Sequence, residues 1–124
     1  MYKIDVDKDN KIINIELSGH MQLEELETYT TEIIEIINHF NKNEVLILAS
    51  MERLDPVSQA NLPICIENLT ALSAYIKKIA FVHKRVVTRI QQERIVKAVN
   101  VKNGRNLPAM SFNTKNDALK FLHE

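Results

Sequence analysis

The residues that could do chemistry cluster in LILASMERLDPVSQANLPICI, residues 46–66. An apolar run enters this stretch and another leaves it. Between them stand Ser50, Glu52, Asp55 and Ser58, together with Pro56 and Pro63. A serine, a histidine and a carboxylate form a nucleophilic triad when the base reaches the nucleophile and the acid orients the base. Ser50, Glu52 and His83 supply those types, as nucleophile, orienter and base. No GxSxG elbow or similar signature marks any of these serines as a nucleophile. The sequence therefore predicts no catalytic residue and no enzyme. His83 ends an apolar run, and ligands of open α/β sheets gather at strand carboxyl ends. It is a candidate to line a pocket with Ser50 and Glu52, against the plainer reading of a half-buried histidine.

Ser58 is the candidate phosphorylation site. A phosphoryl group adds close to two negative charges, which the N–H groups of a helix N-terminus stabilise. Asp55 followed by Pro56 looks like such a start, but Pro63 argues for a later one. Inside a helix a proline deletes a hydrogen bond and clashes with the preceding turn, costing about 3 kcal/mol. It belongs in the first turn, with Asn61 as the cap. That leaves residues 50–61 as a loop long enough to carry function.

Other chemistry lacks material. Cys65 is the only cysteine, so neither an internal disulfide nor a multi-cysteine zinc site can form. His20, His39, His83 and His123 include no i, i+4 pair. Gly19 and Gly104 are the only glycines, too few for a glycine-rich phosphate cradle. No metal or cofactor is expected.

The elements that must position these residues follow from periodicity. Tyr2, Ile4 and Val6 alternate with polar residues, as do Ile13, Ile15 and Leu17, and the DKDN turn between them makes a hairpin. From Gln22 to Phe40 the period lengthens. Leu23, Leu26, Thr30, Ile33, Ile37 and Phe40 form a helical core stripe that NKN closes, with glutamates crowding its first turns. VLILA is apolar on both faces, as a covered central strand must be. Cys65, Leu69, Leu72 and Ile76 form the next helical stripe. KKIAFVH is a strand, and KRVVTRIQQERIVKAVNV a helix with Val87, Ile90 and Val99 inward. AMSFN is a short strand. TKNDALKFLHE closes the chain as a helix with a Thr114–Asp117 capping box and Ala118, Phe121 and Leu122 buried. The order ββαβαβαβα predicts a single α/β domain over residues 1–124. Its sheet is mixed but mainly parallel, with an N-terminal hairpin.

Composition fits that reading. An apolar fraction of 45% and a charged fraction of 26% are ordinary for a soluble domain. The N-terminus MYKIDVDKDN lacks the apolar core of a secretory leader, and no apolar run approaches the roughly 18 residues that span a bilayer. A cytoplasmic protein, not an integral membrane one, is expected. The formal net charge is zero, yet the charge is unevenly placed. Lys84, Arg85, Arg89, Arg94, Lys97, Lys102 and Arg105 accompany a single Glu93, whereas residues 22–44 carry six glutamates against Lys42. No aromatic residue interleaves with the cations to stack bases, so nucleic acid is not expected. The complementary segments suit self-association.

Three stretches carry a family resemblance: IELSGHMQLEELETY, IKKIAFVHK and SFNTKNDALKFL. With the element order, the chain resembles STAS-fold proteins, in particular the SpoIIAA-like (STAS/SEC14) branch. The resemblance implies a STAS-like fold and a non-catalytic regulatory role. In the phosphorylated antagonists of that fold, the loop after the third strand holds an Asp-Ser-Ser-Gly motif whose serine a partner kinase modifies. Here Asp55 matches the acid, but Pro56 and Val57 stand where the serines would be, leaving only the shifted Ser58. The expected function is a protein-interaction module that binds a protein partner or its own copy through loop 50–61 and the start of the following helix. The alternative is a small carrier or sensor of an apolar or anionic lipid. In that case a second row on the helix, Ile64, Ala71 and Tyr75, would enclose the ligand under the loop, against the plainer reading of a wide buried face.

Overall fold

Alternating apolar residues build the first two strands. In the computed structural model, which describes residues 1–41 and 44–124, β1 (Tyr2–Asp7) and β2 (Ile12–Gly19) form an antiparallel hairpin. Its register runs from Tyr2 opposite Leu17 to Asp7 opposite Ile12. β3 (Val45–Leu54) lies parallel to β2, β4 (Ile76–Val82) parallel to β3, and β5 (Ala109–Phe112) parallel to β4. The strands follow one another in chain order across the sheet. Lys42 and Asn43, which the sequence assigns to the turn before β3, lie outside the described residues.

Right-handed crossovers between neighbouring parallel strands put their helices on one face. α1 (Leu23–Ile37), α2 (Leu62–Ser73) and α3 (Val86–Asn103) pack side by side there, and α4 (Lys115–His123) covers β3 to β5 on the other face. The double-sided apolarity of VLILA follows from this sandwich. Val45, Ile47 and Ala49 enter the three-helix core, while Leu46 and Leu48 enter the smaller core under α4.

The helices show where periodicity misleads. In α1, Leu26, Thr30, Ile33 and Ile37 are buried as predicted, but Leu23 is 42% exposed. Its position in the first turn lies beyond the edge of the core, and Phe40 falls after the helix ends. Ile76 belongs to β4, not to the α2 stripe. In α3 the buried row is Thr88, Gln92, Ile95 and Val99, so Val87 (61% exposed) and Ile90 (43%) point outward, contrary to the expectation. Burying Thr88 is cheap because its hydroxyl donates to the Arg85 carbonyl (3.1 Å) and meets the His83 ring (3.3 Å). α3 ends at Gly104, whose φ of 68° is the left-handed conformation a side chain would strain. In α4, Thr114 caps the helix by accepting from the Asp117 N–H (3.2 Å), but the return bond of the predicted capping box is not formed among the described residues; Ala118 and Leu122 are buried as predicted, and Phe121 only partly.

Candidate functional site

The connection between β3 and α2 differs from its expected form. Residues 50–54 are strand rather than loop, because Met51 and Leu54 have core places and because β2 extends to match. A bulge between Glu16 and Ser18 lets Ser18 pair with Arg53, and Gly19 with Leu54. The connection is therefore only Asp55–Ser58, followed by a 3-10 turn (Gln59–Asn61) that runs directly into α2. α2 begins at Leu62 with Pro63 in its first turn, as predicted, and Asn61 occupies the N-cap position.

This short connection is strapped down. Arg85 reaches Asp55 across 2.9 Å, and Lys84 reaches Glu52 across 3.4 Å. Gln91 of α3 binds the backbone of Val57 twice: the Val57 N–H donates to its carbonyl oxygen (2.8 Å), and its amide donates to the Val57 carbonyl (2.8 Å). The Asp55 N–H donates to the Gly19 carbonyl (3.0 Å). Pro56, Ser58, Gln59 and Ala60 are left exposed on top.

Beneath Val57 lies an apolar cavity of about 60 Å³ between the carboxyl ends of the strands and the three helices. Met21, Tyr29, Met51, Cys65 and Gln92 are among the side chains lining it. Burial pushes the Tyr29 hydroxyl up to about 12 and raises the Cys65 thiol. Both groups are thus held neutral, and Cys65 is a poor nucleophile.

The triad types are not brought together. Along β4, His83 continues the row of Ile79 and Phe81 into the three-helix face, where its Nδ1 lies 3.3 Å from the Thr88 hydroxyl. It is 1% exposed, and its Nε2 has no hydrogen-bond partner among the described residues. Burial first, and then the positive charge of Arg89, lower its pKa, keeping the ring neutral. Ser50 and Glu52 point to the opposite face of the sheet, into a separate basin. Ser50, Glu52 and His83 therefore share neither a pocket nor a mechanism. Ile64 and Tyr75 are half-buried and pack against the main core without lining the cavity, and Ala71 is exposed. The row thus encloses no ligand space: Ile64 and Tyr75 border the core, and Ala71 faces outward.

Sequence reasoning placed Val57 in the candidate loop and Arg85 in the basic segment but gave neither its partner, and it did not single out Gln91. Their pairing joins positions far apart in the chain, and neither periodicity nor a motif signals it. Among the described residues no three His, Cys, Asp or Glu side chains cluster as metal ligands. Among the described residues no helix is long and apolar enough to cross a membrane.

A hairpin followed by three βα crossovers and a final helix on the opposite face define an α/β domain with the SpoIIAA-like form of the STAS fold. The chain is similar to an uncharacterized DUF3478-family protein with a SpoIIAA-like fold from Shewanella loihica PV-4. That match has a TM-score of 0.70 and 18% identity, over 98% of this chain and 92% of that one. It is also similar to the anti-sigma factor antagonist SpoIIAA in its unphosphorylated form (TM-score 0.60, 16% identity, 99% of this chain and 96% of that one). An anti-sigma factor antagonist from Mycobacterium paratuberculosis matches with a TM-score of 0.61 and 11% identity, over 100% of this chain and 96% of that one. No protein-family model and no curated protein sequence matches the chain.

Proposed function

We propose that this chain is a non-catalytic regulatory module that binds a protein partner through the β3–α2 connection and the first turn of α2. The observation that carries this reading is the double hydrogen bond from Gln91 to Val57. With the Arg85–Asp55 pair it fixes an otherwise exposed loop in one shape, and a preordered loop loses less entropy on binding. Two proteins of the same fold are anti-sigma factor antagonists, which is consistent with such a role. Ser58, exposed within this surface, is the residue whose phosphorylation would alter it. A photocrosslinker at Gln59 in cells tests the proposal. A discrete adduct that is absent when the crosslinker sits at Lys8, in the β1–β2 turn, supports it. Equal labelling from both positions, or none, overturns it.

The cavity under Val57 favours a second reading, a carrier or sensor of an apolar ligand. Its lining is mostly aliphatic and sulfur-bearing, but its present volume of about 60 Å³ is well below the 300 Å³ or so of an ordinary ligand pocket. A lipid would fit only with the Gln91 bonds released. Native mass spectrometry of gently purified protein separates the readings: a retained lipid mass supports the carrier, and protein without an adduct supports the interaction module.

A further inference from the structure

The opposite face of the sheet holds a larger and chemically different concavity. α4 packs over β3 to β5, and beside it, toward the hairpin, a basin of about 360 Å³ stays open. That volume is within the usual range for small-molecule sites. The basin also lies toward the carboxyl ends of the parallel strands, where α/β sheets hold ligands.

The strand register sets its chemistry. Lys3 lies opposite Glu16, Glu16 opposite Ser50, and Ser50 opposite Val82. Directly opposed residues sit about 5 Å apart, so this row runs from charged to polar to apolar across four strands. The neighbouring row repeats the gradient, with Asp5 opposite Asn14 and Asn14 opposite Leu48. Arg53 and Lys115 complete the wall. Ion pairing inside the protein uses only part of this set. Lys84 holds Glu52 at 3.4 Å, and Lys3 and Asp5 meet loosely at 3.8 Å, both well exposed. Glu16, Arg53 and Lys115 make no ion pair among the described residues, and half-buried Asn14 and Ser50 offer an amide and a hydroxyl between them.

A purely anionic ligand would face Glu16 and Asp5, and a metal cation would face Arg53 and Lys115. A ligand bearing both charges meets both requirements, and an apolar group on it would lie against the edge of the α4-covered core, where the nearly buried Leu48 and Val82 border the basin. We propose that this basin binds a free α-amino acid with an apolar side chain. Its carboxylate pairs with Arg53 and Lys115, its ammonium pairs with Glu16, and its side chain points toward the α4 end. The site is separate from the β3–α2 surface and does not depend on the role assigned there.

Titration of the isotope-labelled protein with phenylalanine, N-acetylphenylalanine and phenylalaninamide, followed by amide chemical shifts, tests this. Phenylalanine shifts Asn14, Ser50 and Val82. Each blocked derivative binds at least about tenfold more weakly, the loss expected from one charge-assisted hydrogen bond. Glu16→Gln weakens phenylalanine to a similar extent but leaves N-acetylphenylalanine unchanged, and Arg53→Gln likewise weakens phenylalanine but leaves phenylalaninamide unchanged. Both side chains are exposed, so the variants fold, which far-UV circular dichroism checks. The proposal is overturned if phenylalanine moves none of these amides. It is equally overturned if the blocked derivatives bind as well as the free amino acid, or if the shifts fall on the cavity under Val57 instead.

Discussion

The Gln91 side chain satisfies both the N–H and the carbonyl of Val57, each at 2.8 Å, so one residue of α3 does for the loop what a neighbouring strand does for a strand. The peptide it holds roofs the apolar cavity, and among the described residues the only other side-chain tether of the connection itself is the Arg85–Asp55 pair. Loop shape and cavity closure therefore depend on the same contact.

Replacing Gln91 with Ala removes two hydrogen bonds and leaves a partly buried peptide without its partner. The expected loss is about 1–3 kcal/mol, read as a lower denaturation midpoint with an unchanged slope. Native-state hydrogen exchange localises the effect: the Val57 amide exchanges faster, while Ile47 and Leu48 in β3 keep their protection. Uniform acceleration would mean that Gln91 supports the whole fold rather than this loop.

The Asp55–Arg85 pair is a weaker strap. Its side chains are 48% and 52% exposed, and pairs so open to solvent contribute about 0–1 kcal/mol. A double-mutant cycle with Asp55→Asn and Arg85→Gln should give a coupling energy in that range that shrinks as salt is raised. A large, salt-insensitive coupling would contradict the exposed geometry.

Ser58 caps the short turn before α2, but its hydroxyl makes no cap hydrogen bond, and the residue is exposed. Ser58→Ala and Ser58→Asp should each leave the melting temperature within the shift of an ordinary surface substitution, about 0.5 kcal/mol. If the loop is the partner surface, Ser58→Asp weakens capture of the partner crosslinked from Gln59, and Ser58→Ala does not. Equal capture by both variants and the parent protein would reduce Ser58 to a loop residue.

Much of the fold was legible because each strand and most helices repeat a burial pattern in consecutive residues. Ile13, Ile15 and Leu17 alternate into one core, and Leu26, Ile33 and Ile37 keep to one helical face. α3 broke the pattern, since its inward row includes Thr88 and Gln92 while Val87 and Ile90 face outward. Hydrophobicity alone cannot rank a threonine with local hydrogen-bond partners above a valine without core neighbours. The site was legible only in position. Pro63 correctly marked where α2 starts, but β3 runs on through five further residues, 50–54, with one extra residue bulged opposite the Glu16–Ser18 step of β2 that no local signal announces. His83 was separated from Ser50 and Glu52 by strand alternation that placed them on opposite faces.

Two valines of α3 make that lesson quantitative. Val99 is fully buried, whereas Val87 is 61% exposed. Val99→Ala removes core contacts and leaves a void, with an expected cost of about 1–3 kcal/mol. Val87→Lys should fall within about 0.5 kcal/mol of the parent, the range for surface changes. Urea denaturation of both variants checks the assignment, and a large loss from Val87→Lys would restore the inward placement that periodicity suggested.

His83 gives the stability a pH dependence of defined sign. Its pKa in the folded chain lies below the usual 6.5 because burial and Arg89 disfavour the charged ring, against a smaller opposing pull from Glu93. Above 6.5 both folded and unfolded chains carry a neutral ring, and the group leaves stability unchanged. As pH falls through 6.5 the unfolded chain takes up a proton that the folded chain refuses. Stability then declines until pH passes the lower folded value, where the loss levels off. Glu25 and Glu44, held below the usual 4.5 mainly by the N-terminal ammonium and by Lys11, lose their contributions only at lower pH. The two regimes therefore separate in a pH series of urea denaturation curves. Substituting His83→Gln should remove the decline that begins near 6.5 and leave the carboxylate-dependent fall at lower pH. If the decline near 6.5 persists in the variant, the buried imidazole is not its source.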